Sequence, residues 1–178
     1  MANQDHPHGL RPIRMLNSGP IPKNRYRAGT TTAIFQGDMV AMTGDGNVIR
    51  VAVTTGSADC VGVAANYKAA GSAAGTEVWV YDDPDTVFEI QSDGTTDTGF
   101  VTHIGAVAAL INAAGSTTTG QSVLEIDASS ITSTGTAVSN PIKIIDVYKG
   151  VDNDPDLAHQ RMEVLITRHL YRERSGSV

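Results

Sequence analysis

The chain has 178 residues and a mass of 18.7 kDa, which suits one domain that buries its own core without staples. Its composition is 40% hydrophobic and 18% charged, which excludes a disordered chain, and the single cysteine, Cys60, excludes an intrachain disulfide. The net charge of −6 is unevenly spread, and no apolar run approaches the ~20 residues that a membrane-spanning helix needs. Arg11, Arg14, Lys23, Arg25 and Arg27 against Asp5 make the first 27 residues basic, about +4. The last 18 residues carry about +2, so the central body holds about −12. An acidic body repels phosphate over its whole surface, so no nucleic-acid partner is expected, and the basic ends suit an acidic protein surface.

Residues 1–32 read as an extended arm. Pro7, Pro12, Pro20 and Pro22 forbid a continuous helix and remove ladder donors. The opening "MANQDHPHGLRPIRML" has no apolar core of the kind a secretory signal carries, so none is expected. Leu10, Ile13, Met15 and Leu16 are apolar anchors that a free tail would not need. The arm is therefore expected to dock on its own domain, a sister subunit or a larger assembly, through Leu10, Arg11, Ile13, Arg14 and Leu16.

From Ala33 the pattern becomes that of short strands. "AIFQGDMVAMTGDGNVIRVAV" predicts strand, turn, strand, turn, strand, with a tight hairpin at Gly44-Asp45-Gly46-Asn47. "DCVGVAANY" predicts another strand that buries Cys60 as a small hydrophobe. In "TEVWVYD", Val78 and Val80 alternate with Glu77, Trp79 and Tyr81, the period-two signal of a half-buried strand. Trp79 and Tyr81 are interface candidates, or a sugar-binding pair. "TVFEIQ" follows the Pro84 turn. "FVTHIGAVAALINAAG" is ambiguous between a short helix and an irregular strand, because its alanines favour helix and Gly105 opposes it. "SVLEID", "PIKIIDVY" and "MEVLITRHLY" are the last strands. The expected fold is all-β, a sandwich or jelly-roll-like barrel of about eight or nine short strands over residues 33–172, with a tail at 173–178.

Chemical motifs are sparse. Asp97-Thr98-Gly99 matches the tripeptide around an aspartic-protease carboxylate. It follows Ser92-Asp93-Gly94-Thr95-Thr96, which is turn chemistry rather than the end of a buried strand, so a loop is expected there. Asp152, Asp154 and Asp156, with Glu163 at the twelfth place, sketch a calcium loop. Leu157 replaces the glycine that such a loop needs at its sixth place, so an EF-hand is not expected and only a looser ion site stays open. His6, His8, His103, His159 and His169 show no zinc spacing. No nucleophile elbow and no phosphate-binding glycine loop is present. No cofactor, resident metal or catalytic residue is expected.

The order of features resembles the small decoration, or cement, proteins of tailed bacteriophage capsids. The resemblance runs from about Gly9 to Tyr171, through "GLRPIRML", "FQGDMVAMTGDGNVIRVAV", "CVGVAANYKAAGSAAGTEVWVYDDPDTVFEIQ", "GQSVLEID" and "MEVLITRHLY". It implies a non-enzymatic virion protein, a homotrimer that binds the major capsid protein on the outer shell after synthesis in the host cytoplasm. The basic arm is then the capsid- or subunit-contacting element, and the body is expected to stay folded without residues 1–27. Other readings are a different phage structural subunit, in head completion or the tail, a carbohydrate-binding β-sandwich, or a small hydrolase on Asp97 or the 152–156 carboxylates.

Overall fold

A computed structural model of the chain describes residues 3–51, 60–94, 100–111, 113–133 and 140–172. The Asp97-Thr98-Gly99 loop and the 173–178 tail lie outside the described residues. The fold is all-β, with strands in two larger antiparallel sheets that pack as a sandwich. The first sheet has the order β1 (Arg11–Met15), β7 (Thr86–Gln91), β12 (Arg161–Ile166), β11 (Ile142–Val147), β8 (Val107–Ala108). The second has the order β2 (Asn24–Arg27), β6 (Glu77–Tyr81), β5 (Cys60–Ala64), β3 (Met39–Met42), β4 (Val48–Arg50). β9 (Leu110–Ile111) and β10 (Glu125–Ile126) form a two-stranded ladder beside them. The twelve strands among the described residues exceed the eight or nine expected. Two of the extra ones come from the N-terminal segment, and β8, β9 and β10 are only two residues each.

The N-terminal segment is built into both sheets. β1 is the edge strand on β7 and β2 the edge strand on β6. Pro12, which cannot donate to a ladder, takes a place on an edge, where one side of the strand needs no partner. Leu10 is 1% exposed and Met15 is buried, so these anchors are used inside the chain's own core.

Two apolar clusters hold the sheets. The larger lies between them and draws Phe88 and Ile90 from β7, Ile142 and Ile144 from β11, Met162 and Val164 from β12, and Met39 and Val63 from the second sheet. The smaller fills the second sheet itself, with Val40, Val48, Val61, Val78 and Val80 around Ile34. That sheet curls until Ala28, just past β2, bridges Val48 on β4. Val and Ile are the commonest residues across the two clusters because branched side chains fit pleated, closely stacked surfaces.

The hairpin forms where the sequence places it. Gly46 takes φ +79, Thr43 N–H donates to the Asn47 carbonyl at 2.8 Å, and the Asn47 amide donates to Asp45. "FVTHIGAVAALINAAG" resolves into a 3-10 turn at Phe100–His103 followed by β8 and β9, with Gly105 at φ +93 breaking any helix.

Two buried polar groups organise loops that read only as punctuation in the sequence. Asp38 is fully buried and accepts from Ser122 Oγ at 2.6 Å and Phe35 N–H at 2.8 Å, with Arg50 Nε at 3.0 Å. Lys68, 3% exposed, donates its ammonium protons to the carbonyls of Gly29, Thr30 and Thr32, which ties down that stretch.

Candidate functional site

Three strands place a charged row on the outer side of the first sheet. In register, Arg11 lies opposite Glu89, and Glu89 opposite Glu163. Arg11 and Arg14 are three apart, so a regular strand would send them to opposite faces. A bulge between Pro12 and Arg14 inserts Ile13 as the extra residue and turns both guanidinium groups toward the same row. Arg11 then donates to Glu89 Oε2 at 2.6 Å and Arg14 to Glu163 Oε2 at 2.6 Å. Arg161 donates to the other Glu89 oxygen at 3.0 Å and also pairs with Asp152. The Glu89 side chain is fully buried under these partners and His8, whose Nε2 is 3.8 Å away.

Residues 3–8 run across this row and shape a cleft of about 710 Å³. Its lining includes Asn3, His6, His8, Arg11, Gln91, Asn153, His159 and Arg161. Asn3 locks the segment to the 148–160 loop, donating to the carbonyls of Asp154 at 2.8 Å and Ala158 at 2.9 Å and accepting from Asp154 N–H at 2.7 Å. Gln91 accepts from His6 N–H at 3.1 Å and donates to Asp5 at 3.3 Å. Among the described residues that line the cleft there is no Ser, Thr, Cys or Lys to serve as a nucleophile. Its cations are already matched by Glu89 and Asp152, so the cleft suits a polar ligand more than a strongly anionic one.

At one side of the cleft a second group of side chains converges. Asp5, Glu125 on β10 and His159 each bring one ligand-type atom, all within 4.8 Å of one another. His159 takes φ +58, and its ring lies so close over Gly94 that a Cβ there would meet it at 2.3 Å. Burial pushes the Glu125 carboxyl above its ordinary value, and the charges of Asp5 and Asp93 push the same way.

The second sheet carries an aromatic and basic patch. Trp79 is 41% exposed on β6, opposite Arg25 on β2. Lys23 Nζ lies 5.5 Å and the Arg25 guanidinium 5.6 Å from the Trp79 ring, within cation–π range. Asn66 accepts from Trp79 N–H at 2.8 Å and fixes this length of strand. Next to it, Tyr26 donates to Asp82 and meets the Tyr171 hydroxyl at 2.9 Å. Burial and the Asp82 hydrogen bond push the Tyr26 phenol well above its usual range.

The residues singled out in the sequence fall into several environments. Leu10 is core, Ile13 is half-buried at the bulge, and Arg11 and Arg14 are ion-paired within the chain. Of the five arm residues only Leu16, 48% exposed, projects without a partner inside the chain as an apolar side chain. Trp79 is at the surface, whereas Tyr81 packs against the large core, so the two do not form a joint aromatic platform. In the acidic loop Asp152 is paired with Arg161, the Asp154 carboxylate accepts from Asp156 N–H, and Glu163 pairs with Arg14. Those carboxylates do not converge on one point. Cys60 is buried and its thiol is pushed up to about 12. Glu89 could have been flagged in the sequence as a charge inside the apolar run "TVFEIQ". Nothing in the sequence links positions 5, 125 and 159.

Two imidazoles, the buried His169 and the half-buried His8, make stability depend on pH. Burial holds His8 and His169 below their ordinary value of 6.5, more than neighbouring carboxylates raise them. Below pH 6.5 the unfolded chain therefore takes up protons that the folded chain refuses, so stability falls as pH drops toward the lowered folded values. Replacing both with Gln should flatten urea midpoints measured between pH 7 and 5. An unchanged slope would assign the acid sensitivity to the carboxylates.

No family model and no curated protein matches the chain.

Proposed function

We propose that the protein is a virion structural protein, a capsid decoration or cement subunit that assembles as a homotrimer and binds the major capsid protein on the outer shell. The sequence resemblance from Gly9 to Tyr171 supports this reading, as does an all-β sandwich whose N-terminal segment is pinned along the edges of both sheets. The observation that carries it is the Trp79 patch, an exposed tryptophan on β6 with Lys23 and, on the neighbouring edge strand β2, Arg25 against its ring. Trp and Arg dominate the energetics of protein contacts, and an aromatic ring already held against two cations gives a preformed anchor. A strand edge there also has backbone groups with which a neighbouring chain can pair. A subunit that binds only the assembled lattice stabilises that lattice by linkage, and three linked copies gain from effective concentration. The basic N-terminal segment and the acidic body favour a protein partner over nucleic acid.

Co-sedimentation with assembled capsids, together with the native mass in solution, tests this. The wild-type protein should run near three times 18.7 kDa and bind assembled capsids but not free capsid protein. Trp79→Ala should keep its melting temperature and lose affinity by about 30-fold, the effect of a 2 kcal/mol hot spot. Equal capsid occupancy by the variant would remove the patch from the contact, and ring or tube assembly would favour a head-completion or tail subunit instead.

A further inference from the structure

We infer that Asp5, Glu125 and His159 form a binding site for a divalent first-row transition-metal ion, zinc foremost. The three residues come from the N-terminal segment, β10 and the 148–160 loop, and their ligand atoms lie within 4.8 Å of one another. A second observation is independent of that proximity. Glu125 Oε1 and His159 Nδ1 are both sealed from solvent and both lack a hydrogen-bond partner. A buried polar atom left unpaired costs free energy, and two of them on neighbouring residues of one cluster call for a shared partner. His159 Nδ1 lies 3.7 Å from Asp5 Oδ1, too far for a hydrogen bond to satisfy either.

A divalent ion satisfies all three groups at once. Bonds of about 2.0–2.2 Å to nitrogen and oxygen place ligand atoms roughly 3 to 4.4 Å apart, so only a small contraction is needed. Asp5, with its side chain 64% exposed and held, among the described residues, only by a 3.3 Å hydrogen bond from Gln91, is the group that can move to make it. One imidazole and two carboxylates suit zinc or manganese. Calcium prefers six to eight oxygens and is poorly served by an imidazole. The charge of Asp93 also acts on Glu125, which adds to the negative field at the site. A bound ion would clip residues 3–8 to β10 and to the loop that closes the cleft. His159 also lines that cleft, so the ion would stand at its edge.

The test uses the full chain stripped with chelator, followed by calorimetric titration and thermal unfolding with zinc, manganese or calcium chloride. Zinc should bind one per chain, raise the melting temperature by several degrees and outcompete calcium. Asp5→Asn changes an exposed group, so it should fold with unchanged metal-free stability. Both Asp5→Asn and Glu125→Gln should lose zinc affinity by more than about tenfold. Absence of saturable zinc or manganese binding would overturn the proposal. Undiminished binding by both variants would overturn it by placing the ion elsewhere, and equal affinity for calcium would overturn the transition-metal assignment.

Discussion

A chain lacking residues 2–16 should lose cooperative unfolding. This deletion removes β1, exposes the flank of β7 and takes out Leu10 and Met15, both buried. Truncating one such core side chain to alanine costs about 2–5 kcal/mol, and two of them approach the ~5–15 kcal/mol that holds a whole domain. The backbone adds to the loss. Leu10 N–H donates to the Gly37 carbonyl and Leu16 N–H to Asp85, so the segment is stitched at both ends. The measurement is a denaturant curve followed by near-ultraviolet circular dichroism. A sharp transition at an unaltered midpoint would show that the segment is an accessory arm and that its strand pairing contributes little. Loss of capsid binding by such a truncation would report unfolding rather than a lost contact, so point variants at the surface are the proper test of the contact.

Glu89→Ala should cost about 3–5 kcal/mol, the usual consequence of removing one member of a buried ion pair. For a chain of this size that lowers the melting temperature by roughly 6–20 °C. The carboxylate is fully buried and accepts from Arg161 and Arg11 at once. The two partners are unequal. Arg11 is 55% exposed, so water screens its share, whereas Arg161 is only 17% exposed and keeps, among the described residues, only Asp152 as a carboxylate partner, beside the Tyr148 ring. Arg161→Ala should therefore couple more strongly to Glu89→Ala in a double-mutant cycle than Arg11→Ala does. A midpoint within about 2 °C of the wild type for Glu89→Ala would mean that the row is solvated and stabilises nothing.

The sequence by itself determined the class of fold and much of its punctuation. Val, Ile and Thr in short runs broken by Gly turns predict strands because branched side chains fit a pleated surface, and the observed β3, β4, β5, β6, β7, β11 and β12 follow those runs. The Gly44–Asn47 hairpin was legible because its backbone demands residues that tolerate positive φ. The Val78 and Val80 alternation was legible because one face of β6 is buried and the other is wet. These are local properties, set within a few residues of chain.

Pairing between distant segments was decided only in the tertiary structure. Four prolines made residues 1–32 look like an arm, yet an edge strand also tolerates proline, and which edge it joins depends on β7 and β6. The face on which Arg14 falls depends on a one-residue bulge at Ile13 that no periodicity announces. Tyr81 and Trp79 share a period but not an environment, because the second sheet curls and carries Tyr81 toward the core. Asp5, Glu125 and His159 are far apart in the chain, and no spacing rule could join them. Side-chain constellations of this kind arise from chain packing, in which burial and strand register bring together residues that share no local pattern.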